Sequence, residues 1–182
     1  MDTHTIELLD ALKGKVYAQD YSKKKTIEGV KIAEIKNFIS EEGDFSEIIR
    51  LDANGETEEF PGFVLQQINR TKLFPKSVKA WHLHMNQDEV WYIPPSFHLF
   101  VGLWDVRKKS ESSNVTMRIV LGEGRSRLLY IPRGVAHGSA NFSSHSIELF
   151  YFVNQKFNVQ NSDEKRIHWD ALGKEFWLPE KD

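Results

Sequence analysis

The chain has 182 residues, enough for one domain with a proper core, and its 26 acidic and 24 basic residues leave a net charge of −2. That balance gives no electrostatic footprint for nucleic acid or an anionic membrane, and no apolar run approaches the ~20 residues that span a bilayer. Cysteine is absent, which excludes disulfides, thiol nucleophiles and thiolate metal sites, so any chemistry must use His, Asp, Glu, Tyr, Lys or Arg.

Residues 1–29 read as an N-terminal extension. Ile6, Leu8, Leu9 and Leu12 have helix-like spacing and predict a short amphipathic helix, followed by a solvated turn at Lys23-Lys24-Lys25. The opening MDTHTIELLD lacks the apolar core of a signal peptide, so a cytoplasmic protein is expected. From Val30 the pattern changes to alternating strands. Val30–Ile35 and Phe45–Leu51 flank a hairpin tip at Gly43-Asp44, and 52–62 is a polar loop. Further strands are predicted at Phe63–Asn69, Val78–His84, Glu89–Ile93, Phe97–Val106, Thr116–Leu121, Leu128–Ile131, His137–Phe142 and Ile147–Val153. The tail from Asp163 regains helical character. Many short strands without intervening helices predict an all-β domain over 30–182, an antiparallel sandwich or jelly-roll barrel.

The chemistry concentrates in two stretches. In Lys79–Pro95, His82 and His84 lie two residues apart on a strand and share one face, with Glu89 five residues further on. The second stretch runs from Pro132 through Gly134 and His137 to Asn141. His82-x-His84-x4-Glu89 resembles the first cupin motif, with Ser96 standing where that motif has glycine, and Pro132-x-Gly134-x2-His137-x3-Asn141 resembles the second. The resemblance implies a cupin jelly-roll β-barrel with His82, His84, Glu89 and His137 gathered inside it. Three imidazoles and one carboxylate suit one divalent Fe, Mn, Ni or Zn ion, and suit equally a polar pocket for an organic substrate with no metal.

Within the cupins the chain is similar to the dTDP-4-dehydrorhamnose 3,5-epimerase family from about Val30 onward. Gln67-Ile68-Asn69-Arg70-Thr71 resembles its QxNxS segment, and Tyr130–Gly138 its WIPxGFAHG. Asp105-Val106-Arg107 is similar to its VDxR strand, Glu148–Asn154 to EVxYKxxxYY, and Arg166–Asp170 to GIxWxD. This implies a cofactor-independent isomerase that abstracts a proton next to the ketone of a dTDP-type 4-keto-6-deoxy sugar, in deoxysugar and surface-polysaccharide biosynthesis, working as a homodimer. His82 falls on the family's base and Tyr151 on its acid. Gln67, Asn69, Lys79, His137 and Trp91 are the expected substrate contacts. Asp170, Glu148 and Asp182 are the carboxylates that could orient His82, and Asp170 is the one expected to act in catalysis. The chain departs from the pattern at Lys79, where the family has Arg, and at Glu41–Phe45, where a diphosphate-binding Arg is missing. His84 is additional. Two further readings stay open: a metal-dependent dioxygenase or sugar isomerase with His82, His84, Glu89 and His137 as ligands, and a non-catalytic sugar-binding cupin.

Overall fold

The computed structural model describes residues 6–180. Twelve strands follow in order: β1 (Lys31–Glu34), β2 (Asn37–Ser40), β3 (Gly43–Ser46), β4 (Gln67–Leu73), β5 (Val78–Leu83), β6 (Glu89–Tyr92), β7 (His98–Asp105), β8 (Thr116–Gly122), β9 (Arg127–Ile131), β10 (Val135–Ala140), β11 (Ile147–Val153) and β12 (Lys165–Arg166). They form two five-stranded sheets, ordered β1-β9-β6-β11-β4 and β12-β5-β10-β7-β8, plus the small hairpin β2-β3. All pairings are antiparallel. This is the all-β jelly roll expected of a cupin, and the described helices are short 3₁₀ turns.

Alternation along the strands fills three layers. Leu73, Trp91, Leu99, Val101, Leu103, Leu129, Ile131 and Leu149 pack between the sheets. On the outer side of the first sheet, Val90, Tyr92, Leu128 and Phe152 meet Phe60 and Phe63 from the preceding loop. On the outer side of the second, Trp81 and Phe100 meet Trp177 of the C-terminal turn. The central strand β6 is therefore buried on both faces.

A bulge positions the site. β10 pairs with β5 as His137↔His82 and Ser139↔Lys79, so Ala80 and Trp81 together face Gly138. The extra residue brings Lys79 and His82 to one face although they are three apart. A Cβ on Gly138 would sit 2.5 Å from the Ala80 Cβ, so only glycine fits there.

Three expectations are corrected. The strand predicted at Phe45–Leu51 lies instead at Gly43–Ser46, and its hairpin turns at Glu41-Glu42 rather than at Gly43-Asp44. The N-terminal helix is reduced to a 3₁₀ turn over Asp10–Leu12, and Ile6, Leu8, Leu9 and Leu12 are exposed. A short amphipathic helix needs a surface to bury its stripe, and nothing among the described residues supplies one. The strand predicted at 63–69 runs instead over Gln67–Leu73, because Phe63 is buried as a loop anchor rather than as a strand residue.

Candidate active site

At one end of the sandwich the interior turns polar. Thr71, Leu149 and Tyr151 from the first sheet and Lys79, His82, His84, His137 and Ser139 from the second face each other, with Glu89, Trp91 and Glu164, across an inner cavity of about 100 Å³. It opens into a vestibule of about 480 Å³ that adds Gln67, Asn69, Lys156, Phe157 and Asn158.

The histidines divide into two groups. His82 Nδ1 lies 2.6 Å from Glu164 Oε1, so the ring donates to this carboxylate and leaves Nε2 with its lone pair toward the cavity. Burial works against the charge on Glu164. The hydrogen bond to His82, the neighbouring imidazoles and Arg166 outweigh burial and bring its pKa down to about 2. Arg166 Nη1 lies beside the ring, 2.9 and 3.1 Å from its two nitrogens and 3.3 Å from Glu164.

The second group is buried more deeply in the wall of the same cavity. His84 Nε2 is 3.1 Å and His137 Nε2 3.5 Å from the two oxygens of Glu89, and all three residues are buried. Trp91 Nε1 and Gln87 Nε2 also donate to Glu89, at 2.6 and 2.9 Å. Burial opposes ionisation of Glu89, but the facing imidazoles, which carry charge only when protonated, and these hydrogen bonds bring it down to about 2. Burial alone would lower His84, yet the hydrogen bond and charge of Glu89 raise it. His137 is pushed down to about 4, chiefly by burial, and stays neutral near pH 7 with Nδ1 donating to the Val135 carbonyl.

Donor atoms of His84, Glu89 and His137 all lie within 4.8 Å of one another, close enough to hold one divalent ion. His82 stands outside this cluster with Glu164, so three of the four expected ligands come together.

Of the expected site residues, His82, Lys79, His137, Trp91 and Tyr151 line the inner cavity, and Gln67 and Asn69 line the vestibule. Lys79 Nζ donates to Thr71 Oγ1 at 2.6 Å. Tyr151 is raised above its ordinary value, first by burial and then by Glu89 and Glu164, so its hydroxyl keeps its proton. Asp170 lines neither space: it is paired with His168 at the surface. Glu148 is paired with Arg70 across β4 and β11, and Asp182 lies outside the described residues. The carboxylate that meets His82 is Glu164, which no motif pointed to. Glu41-Glu42 forms the exposed turn of the β2-β3 hairpin and Gly43–Phe45 begins β3, and none of these residues lines either space.

Comparison with known proteins follows this geometry. The family model for dTDP-4-dehydrorhamnose 3,5-epimerase matches residues 24–181. A spore coat polysaccharide biosynthesis protein, SpsL of Bacillus subtilis, is 35% identical over 144 residues, covering 79% of this chain and 91% of its own. The probable low-salt glycan biosynthesis epimerase Agl13 of Haloferax volcanii is 26% identical over 97 residues, covering 53% of this chain and 62% of its own. Among solved structures, a dTDP sugar isomerase from Desulfovibrio desulfuricans superposes with a TM-score of 0.70 at 25% identity, over 80% of this chain and 88% of that one. A shared fold and a match over most of the length agree: the chain belongs to the dTDP-4-dehydrorhamnose 3,5-epimerase family and is an isomerase.

Proposed function

We propose that this enzyme epimerises a nucleotide-linked 4-keto-6-deoxy sugar in the synthesis of a cell-surface polysaccharide, working as a cytoplasmic homodimer without metal or organic cofactor. The observation that carries the reading is the His82–Glu164 pair, 2.6 Å apart at the cavity wall. A carboxylate on Nδ1 fixes the tautomer that leaves Nε2 as the base. His82 Nε2 takes the proton from the carbon beside the ketone. The electron pair moves to the carbonyl oxygen, and the enolate is stabilised by the Lys79 ammonium. Tyr151, on the opposite sheet and held protonated, returns a proton to the other face of the carbon. The configuration is then inverted with no net change in atoms. Gln67 and Asn69, hydrogen-bonded to each other at 2.7 Å in the vestibule, contact the nucleotide side of the substrate. His137 and Trp91 shape the inner wall, with ring centroids 5.3 Å apart.

The test is incubation with dTDP-4-keto-6-deoxyglucose in D₂O. Deuterium is expected at a carbon next to the ketone. No exchange across a panel of dTDP-, UDP- and CDP-linked 4-keto sugars would overturn the reading.

One observation favours a second reading, a metal-dependent enzyme: the buried His84–Glu89–His137 cluster has the donors and spacing for a divalent ion. Such an ion would polarise a substrate oxygen as a Lewis acid. Metal analysis of protein purified without chelator separates the two: about one equivalent of Fe, Mn, Ni or Zn per chain supports the second.

A further inference from the structure

The carboxylate on His82 sits in a segment with little regular structure between β11 and β12, so something must hold it there. Asp163 does so from both of its ends. Its carboxylate accepts the backbone N–H groups of Met85, Asn86 and Gln87 at 3.0, 2.8 and 3.0 Å, and the Asn86 side chain at 3.2 Å. Three successive N–H groups converging on one carboxylate form an anion nest. Its carbonyl lies 3.2 Å from His84 Nδ1. The next residue is Glu164, whose two oxygens reach His82 Nδ1 at 2.6 Å and His84 Nε2 at 3.7 Å. After it, β12 pairs with β5 as Lys165↔Leu83 and Arg166↔His82. One dipeptide thus meets both histidines of the His-x-His pair, fastened before Glu164 by the nest and after it by the ladder.

We propose that Asp163 is a positioning residue, which fixes Glu164 on His82 by clamping the Met85–Gln87 turn and so sets the ring tautomer of the base. It lines the vestibule but not the inner cavity, where its effect passes through Glu164. This rests on His82 being the base, but it concerns the ring and not the substrate.

The experiment is two-dimensional ¹⁵N NMR of the histidine rings in the full chain, above their titration range, with thermal melts in parallel. The wild type and Asp170→Asn are expected to hold His82 as the Nδ1–H tautomer. In Glu164→Gln and in Asp163→Ala the ring shifts toward Nε2–H, with the Nδ1–H share falling below about one half. The double variant matches Glu164→Gln alone, because both changes cut the same link. Asp163→Asn keeps an acceptor oxygen and restores an intermediate share. If Asp163→Ala fails to fold, Asp163→Ser, the milder change, carries the decision. A wild-type tautomer in the Ala or Ser variant, or a double variant that adds the two effects, would overturn the proposal. No substrate is needed, so failure of the keto-sugar reading would show separately, as absent deuterium exchange beside an intact ring signature.

Discussion

The cavity holds two imidazole–carboxylate assemblies with the same chemical parts and opposite settings. His82–Glu164 sits at the open side of the wall, with Glu164 38% exposed, while His84–Glu89–His137 lies deeper, with Glu89 5% exposed. At the wall Glu164 holds the His82 ring at 2.6 Å with His84 further off at 3.7 Å, and the second nitrogen of that ring has only the Arg166 Nη1, at 3.1 Å, beside it. Inside, one carboxylate is shared by two rings, an indole and an amide, and no polar atom is left over for chemistry without disturbing the rest. The difference teaches that residue type does not assign the role. A general base needs an oriented ring and an open nitrogen, which only the wall pair offers, whereas a buried, fully shared carboxylate is a structural centre or an ion site.

Substitutions sharpen that contrast, beginning with the largest expected effect. His82→Asn lowers solvent exchange into a keto-sugar nucleotide by about 10³-fold or more, because no other open nitrogen replaces it. Glu164→Gln lowers it by about 10²-fold, and Asp170→Asn by less than about twofold, as measured by NMR exchange rates. Tyr151→Phe separates the two proton transfers: exchange continues, while inversion to the epimeric product falls by about 10²-fold.

Stability should run the other way. Glu89→Ala strands His84, Gln87 and the Trp91 indole and costs roughly 3–5 kcal/mol in chemical denaturation. Glu164→Gln, at a part-exposed pair, costs no more than about 1 kcal/mol. The pH dependence has a definite sign. Both carboxylates have folded pKa values of about 2, below the ordinary 4.5. Their stabilisation is therefore complete above pH 4.5 and is lost as pH falls from there toward 2. Glu164→Gln removes its part of that acid loss, so the variant's denaturation midpoint falls less steeply over this window.

Much of this was legible in the sequence, for a physical reason. His82, His84 and Glu89 are close in the chain, so strand alternation alone aligns the two histidines, and a short motif recovers them. His137 is distant in sequence but sits in a turn-plus-strand pattern of its own. Glu164 was not legible. It lies 82 residues from His82, on a stretch whose shape is set by the Asp163 nest and not by any periodicity. Asp170 looked the better partner because it follows Trp169 in a recognisable run, yet His168 holds it at the surface. The Ala80–Trp81 bulge was also invisible, although it is what brings Lys79 round to the cavity. At the N-terminus the apolar spacing is helical, but a helix needs a partner surface as well.

The sharpest single measurement is the rate of solvent-deuterium incorporation into dTDP-4-keto-6-deoxyglucose by His82→Asn beside His84→Asn. With His82 as the base, exchange falls by about 10³-fold in the first and only about tenfold in the second. Exchange that survives in His82→Asn and vanishes in His84→Asn would contradict it, and would move the chemistry to the buried cluster.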